Sequence, residues 1–263
     1  MPSTEGEIVQ PKHKAIVSGI LARGAITIAA AGLFLFLRPD MSNALQRKYL
    51  SPQIAHASQG VIDEYLRTHS VRMLQIGTAD NNKPGWLNTD IEPSIGQAYL
   101  DASKPFPLPD RSFKYVFSEQ VIEHITYEQG LVMLKESYRI LVPGGRVRLA
   151  TPNLDRFIQL FQQSKTPEME GYITQKLLWH KWLQTPDPVC YILNQQLREF
   201  GHQFVYTPKL MRTSLEAAGF HNIKQMEADV SDDPGMRNLE ERGTSNVRSL
   251  NAYESMNFEA VRE

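Results

Sequence analysis

Residues 71–90, VRMLQIGTADNNKPGWLNTD, constrain this chain more than any other stretch, because two short apolar runs end there at residues suited to a nucleoside. The first run (Val71, Met73, Leu74, Ile76) stops at Gly77, and the second, Leu87 to Ile91, contains Asp90. In an open α/β sheet, ligands gather outside the carboxyl ends of the strands. The turn after the first strand takes a phosphate or carboxylate end, and an acid after the second takes ribose hydroxyls. Gly77 and Asp90 occupy those two places. Between them, Thr78 and Ala79 stand where a close backbone approach favours glycine. The stretch therefore predicts a nucleoside-cofactor site with an unusual first loop.

From Val71 onward, short apolar runs alternate with helical patterns, the signature of βαβ units and a parallel sheet. A lead-in helix is expected over Gln53 to Thr68. A third strand is expected near Ala98 to Ala102 and a fourth at Tyr115 to Ser118. Leu131, Leu134, Tyr138 and Leu141 form a helical stripe within Tyr127 to Leu141. Pro143-Gly144-Gly145 turns that helix into a strand over Arg146 to Ala150. Leu154 to Arg198 is helical and aromatic, too long for a simple crossover, and reads as a cap over the carboxyl edge of the sheet. Tyr172, Trp179 and Trp182 within it share a helical face and read as core of the cap. Thr207 is an N-cap with Pro208 at the first helical position, and Gly219 supplies the left-handed stop. His221 to Glu227 reads as a strand. Ser249 to Val261, with Leu250, Ala252, Met256, Phe258 and Ala260 in alternate register, reads as a closing strand.

The chain has 263 residues, 41% of them hydrophobic, which suits one large α/β domain with extensions. A formal net charge of -1 offers no footprint for a polyanion, so nucleic acid is not an expected partner. One cysteine, Cys190, excludes an internal disulfide and a zinc site built on several thiolates; it reads as a small buried hydrophobe, and no metal is expected. Residues 1–14 are polar and expected to be disordered. Residues 15–37, AIVSGILARGAITIAAAGLFLFL, are about long enough to span a bilayer at roughly 20 residues. Arg23 interrupts them, at a cost of ~2.5–3.5 kcal/mol at mid-membrane, and no small-residue cleavage site follows. Three readings stay open for 15–38: an uncleaved membrane anchor, an interfacial helix, or a soluble helix packed on the domain. Residues 39–70 then serve as connector and lead-in helix.

Several downstream stretches, in this order and spacing, resemble the class I S-adenosylmethionine-dependent methyltransferases. They are LDASKPFPLPDRSFKYVFSEQVIEHI, then LKESYRILVPGGRVRLATPN, then LEAAGF before a strand. The subgroup most resembled carries Gly-Trp-x-Asn-x-Asp, here Gly85 to Asp90, and Gly-His-x-Phe-x-Tyr, here Gly201 to Tyr206. The resemblance covers about Val71 to Val261 and implies an α/β, Rossmann-like, doubly wound and mostly parallel sheet. It also implies an antiparallel closing strand and places the whole over 71–263, with a helical cap at about 154–200. Most members carry Gly-x-Gly after the first strand, whereas this chain has Gly77-Thr78-Ala79.

The implied activity is methyl transfer from S-adenosyl-L-methionine to a small-molecule, lipid-linked or glycan acceptor, in the cytoplasm or at a membrane held by 15–37. For the donor, the resemblance implies Gly77 and Asp90, with Asp101 and Ala102 at the adenine and Ser118 and Glu119 beside the sulfonium. Asp90 has a turn or cap role as its plain alternative, Asp101 a surface role, and Glu119 a solvated one. His124, at the entrance of the next helix, is either a base for the acceptor or a helix-packing residue. His202 and Tyr206 would line the acceptor pocket, unless Tyr206 packs on the sheet with a satisfied hydroxyl. Two rival readings remain. One is a catalytically degenerate binding module on the same fold. The other is a nicotinamide-dependent oxidoreductase, for which the required G-x-G-x-x-G is missing.

Overall fold

A computed structural model of the chain describes residues 51–181, 184–240 and 245–263. The expected tail 1–14, the apolar segment 15–38 and Trp182 lie outside the described residues. Contacts divide the chain into units 1–53 and 54–263, and the second carries the sheet and all of the elements below except the first three residues of the first helix. Among the described residues, no helix is long and apolar enough to cross a membrane.

Helix α1 (Ser51–Thr68) leads into strands β1 (Met73–Ile76), β2 (Leu87–Asp90), β3 (Ala98–Tyr99) and β4 (Phe113–Glu119). A 3-10 turn at Ile122–His124 precedes α2 (Tyr127–Ile140) and β5 (Leu141–Pro152). Helices α3 (Leu154–Gln159), α4 (Pro167–His180) and α5 (Pro188–Arg198) form the segment that follows. The chain then runs through α6 (Pro208–Ala217), β6 (His221–Met226), α7 (Ser245–Glu254) and β7 (Ser255–Val261). The sheet order is β3-β2-β1-β4-β5-β7-β6, with β1 to β5 parallel and β7 antiparallel to both neighbours. This is the mostly parallel, Rossmann-like sheet with an antiparallel closing strand that the resemblance implies.

Alternation along the strands sorts side chains to two faces. Leu74, Ile76, Leu87, Val116, Val147, Leu149, Met256, Phe258 and Ala260 pack against α1, α2 and α6 in one buried cluster. Helix α2 forms because Thr126 caps it in a reciprocal box with Gln129, and Met133, Leu134, Ser137 and Ile140 repeat on its buried face. Thr207 caps α6 through the Leu210 amide, and Gly219 follows it at φ +99°. On the opposite face, Phe117 meets Met236 and Leu239, with Trp86 and Tyr115 packed alongside. There Arg148, fully buried in β5, is paired with Glu240 and Glu259 and donates to the Val230 and Glu227 carbonyls.

Several expectations need correction. Residues 249–254 are the end of α7 rather than strand, and β7 begins only at Ser255. Leu250 and Tyr253 are three residues apart and both enter the cap core, a helical spacing that the alternation of Leu250 and Ala252 imitates. The third strand is two residues long, because the Asp101 carboxylate draws in the Ser103 amide and ends it in a turn. Cys190, expected to be buried, is exposed.

Candidate functional site

The carboxyl ends of β3, β2, β1 and β4 lie in one row, which places the expected donor residues side by side. Ile76 is in register with Thr89 on one side and Ser118 on the other, so Gly77, Asp90 and Glu119 each follow by one position on adjacent strands. Neighbouring strands are ~4.8 Å apart, so these three residues share a single short stretch of edge. Gly77 and Thr78 both donate to the Thr89 carbonyl, at 2.9 and 3.0 Å, which fastens the first loop to β2.

Gly77 is left-handed at φ +70°, and a Cβ there would come within 2.2 Å of Val121 Cγ2. The position therefore requires glycine twice over, for its backbone and for the space beside it. Ala79 is also left-handed, at φ +46°, so the loop keeps a glycine-like path although the sequence has alanine. The Ala79 amide donates to Asp90 Oδ2 at 2.8 Å, and the Glu92 amide donates to Oδ1 at 2.9 Å. Each carboxylate oxygen retains a second acceptor direction, which fits a ribose diol. Thr78 is fully buried, and its hydroxyl has no hydrogen-bond partner among the described residues.

Asp101 follows β3 by two positions. Its Oδ1 accepts from the Ser103 amide and hydroxyl, and its Oδ2 pairs with Lys104 at 2.8 Å. Burial alone would raise this carboxyl, but the hydrogen bonds from Lys104 and Ser103 outweigh it and hold the group below its ordinary value. Ala102 is buried beside it, and Ser118 and Glu119 are buried at the end of β4.

Past Glu119 the edge turns toward the cap. Gln120 is left-handed at φ +54°, and its side chain donates to the Ser255 hydroxyl at 2.8 Å. The 3-10 turn is stapled to the segment before α6: the Glu123 carbonyl accepts from the Gln203 and Phe204 amides at 2.7 and 3.1 Å. Gln203 Nε2 in turn donates to the His124 carbonyl at 2.8 Å. This staple sets the His124 and His202 rings edge to face with centroids 4.8 Å apart. Both imidazoles line a cavity of about 370 Å³ that Gln120 also borders.

The far wall of the cavity belongs to the cap, with Lys176, Trp179, His180, Gln196 and Phe200 from one side and Leu250, Asn251 and Glu254 from α7. Glu254 Oε2 accepts from Tyr172 at 2.8 Å, Lys176 at 2.9 Å and Gln196 at 3.1 Å. Burial, then the nearby carboxylate, drives the Tyr172 phenol far above its ordinary value. Burial and the neighbouring Lys176 ammonium lower His180. Sequence reading missed Gln120, Lys176, His180, Gln196 and Glu254. The one usable signal was the pair Lys176 and Glu254, each charged within an otherwise core-forming stretch. Trp179, expected in the cap core, is 55% exposed, whereas Tyr172 is buried against Tyr253. Tyr206 is fully buried under the turn, and its hydroxyl finds no hydrogen-bond partner among the described residues, contrary to the satisfied hydroxyl expected.

Residues 68–149 match a family model described as a methyltransferase domain. No curated protein matches the sequence. Among solved structures, the chain is similar to a Thermotoga maritima S-adenosylmethionine-dependent methyltransferase described as a possible histamine N-methyltransferase. That likeness has 15% identity over 84% of this chain and 95% of the other, with a TM-score of 0.42. It is similar to an Archaeoglobus fulgidus S-adenosylmethionine-dependent methyltransferase at 15% identity over 83% and 98%, TM-score 0.40. It is also similar to Haemonchus contortus phosphoethanolamine N-methyltransferase 2, solved with S-adenosyl-L-methionine, at 14% identity over 79% and 52%, TM-score 0.35.

Proposed function

We propose that this chain is a class I S-adenosylmethionine-dependent methyltransferase that transfers a methyl group from S-adenosylmethionine to a small-molecule, lipid-linked or glycan acceptor held between the sheet edge and the cap. The observation that carries this reading is the continuity of the edge. Gly77, Asp90 and Glu119 stand in register on adjacent strands, and the next residue, Gln120, borders the cavity that His124 and His202 line. About 370 Å³ suits a small polar group, and carboxamides, imidazoles and two aromatic side chains around it suit one rich in hydroxyls or amines.

In the proposed arrangement, Asp90 accepts the ribose hydroxyls, Gly77 and Ala79 bring backbone close to the donor, and Glu119 holds the donor's amino end. Asp101 and Ala102 flank the adenine, and Ser118 lines the wall between donor and acceptor. When bound, the cofactor supplies a methyl carbon on a positively charged sulfur. Held at that edge, it would present this carbon to a lone pair of the acceptor in the cavity, the electron pair of the displaced carbon–sulfur bond remaining on sulfur. The acceptor releases one proton. His124 and His202 border the nucleophile on its side of the cavity, whereas Tyr206, expected beside them, is fully buried behind the turn and does not line it. The protein's main contribution is orientation, where well-aligned cases reach effective molarities of ~10⁵–10⁸ M.

Calorimetry with S-adenosylmethionine and S-adenosylhomocysteine tests the reading, followed by transfer of a radiolabelled methyl group into fractionated cell extract. Asp90→Ala should weaken donor binding more than about tenfold, the cost of one charge-assisted hydrogen-bonding group. No heat at millimolar ligand would favour a binding module that has lost its donor. We further propose that residues 15–37 hold the chain at a membrane facing the cytoplasm. Deletion of residues 1–38 should then move the chain out of the membrane fraction; a truncated chain that stays there refutes the anchor.

A further inference from the structure

We propose that Glu123, His124 and His202 form a binding site for one divalent transition-metal ion of the zinc type, set in the wall of the acceptor cavity. The sequence alone pointed to no metal, since its single cysteine left no thiolate set. The fold creates a different donor set, two imidazoles and a carboxylate, whose ligand atoms all lie within 4.8 Å of one another. Three such ligands with a fourth position open is the arrangement of catalytic zinc sites, and imidazole and carboxylate also suit cobalt and nickel.

The donors are pre-positioned by their surroundings. His202 Nδ1 lies 2.6 Å from the Gln196 carbonyl, which can only accept, so Nδ1 carries the proton and Nε2 of the neutral ring carries the lone pair. That second hydrogen bond is the device that usually orients a metal-binding histidine. Glu123 is 0% exposed, and its Oε2 accepts from the Thr151 hydroxyl at 3.0 Å, which fixes the carboxylate plane. Glu123 Oε1 lies 4.0 Å from His124 Nε2. A tetrahedral ion with bonds of ~2.0–2.1 Å separates its ligands by ~3.4 Å, so the atoms, now within 4.8 Å of one another, would draw in by up to about 1.4 Å, most easily through the partly exposed His124 ring. The backbone staple between the turn and Gln203–Phe204 keeps both ligand segments together before any ion arrives.

Both histidines line the cavity, so the open coordination position faces the space assigned to the acceptor. An acceptor hydroxyl bound there loses its proton to solvent more readily, because the ion stabilises the alkoxide that attacks the methyl carbon. This role rests on the proposed methyl transfer; binding of the ion does not.

The test uses the full chain, stripped by chelator and titrated with zinc chloride in calorimetry and with cobalt chloride by visible absorption. One ion per chain is expected, with cobalt bands typical of tetrahedral coordination. His124→Ala and His202→Ala should each weaken zinc binding at least about tenfold, while His221→Ala, on exposed strand β6, should leave it unchanged. Circular dichroism checks that each variant is folded, and the half-exposed His124 makes its variant the safer one. No binding to the stripped chain, or binding that survives both cavity variants, overturns the proposal. Donor binding without zinc binding overturns the metal site and leaves methyl transfer standing; zinc binding without donor binding does the reverse.

Discussion

The two walls of the cleft are built on opposite principles. The proposed donor wall is backbone: the connection 77–86 carries the chain from β1 to its parallel neighbour β2 with no helix, where such crossovers ordinarily use about a dozen residues or more. Its shape depends on a left-handed Gly77, a left-handed Ala79 and one carboxylate that ties the loop to β2. The proposed acceptor wall is side chain: helices α4, α5 and α7 converge on the buried carboxylate of Glu254, which takes three donors. A wall specified by dihedral angles fails at single residues and fails locally. A wall specified by a shared ion fails as a unit.

That contrast is most severely tested at Glu254. Its replacement by Ala leaves the Lys176 ammonium buried and unpaired and strips Tyr172 of its partner, so a loss of ~3–5 kcal/mol in urea unfolding is expected. The double replacement Lys176→Met with Glu254→Leu should recover much of it, because apolar side chains remove the orphaned charge. Donor affinity should survive both changes in protein that remains folded. If it falls in step with stability, the two walls are not independent and the contrast breaks.

On the donor side, Gly77→Ala puts a methyl group 2.2 Å from Val121 Cγ2 at φ +70°. Overpacking of this kind costs ~1–3 kcal/mol, and the loop is expected to swing away from Asp90. Calorimetry should show at least about tenfold weaker donor binding, while the helical content read by far-ultraviolet circular dichroism stays unchanged. Donor binding that persists at full strength would mean that the backbone path of the loop is not what the donor uses.

How much of this was legible in the sequence follows the same division. The row of Gly77 and Asp90 on neighbouring strands could be anticipated, because glycine at the end of an apolar run and an acid at the end of the next mark successive strand ends in a parallel sheet. Strands β1, β2, β4 and β5 and helix α2 were legible from periodicity and caps for the same reason. The acceptor wall was not, because Glu254, Lys176 and Gln196 are far apart in the chain and meet only when α7 folds against the cap. The misreading of 249–254 as strand hid Glu254 further: the run Leu250, Ala252 alternates over too few residues to separate a period of 2 from one of 3.6. Trp179 was misplaced because a helical face shared with Tyr172 does not say how far along the helix the core extends. The Glu123, His124 and His202 cluster was hidden in part for a similar reason, since its third member lies on another segment.

Ala79 offers the mildest change and the sharpest question about the donor wall. An alanine at φ +46° costs ~1–2 kcal/mol relative to an ordinary conformation, whereas glycine adopts it freely but loses ~0.4–1 kcal/mol through the greater freedom of its unfolded chain. Ala79→Gly should therefore leave stability unchanged or raise it by up to about 1.6 kcal/mol, read as a rise in the urea midpoint. The Ala79 amide already reaches Asp90 at 2.8 Å, so glycine has no hydrogen bond to restore. Donor affinity should accordingly stay within a few-fold of the starting value or improve slightly as the methyl group is removed from the cleft. A clear loss of affinity would show that the alanine methyl touches the donor, making the loop a contact surface in its own right rather than a glycine turn held under strain.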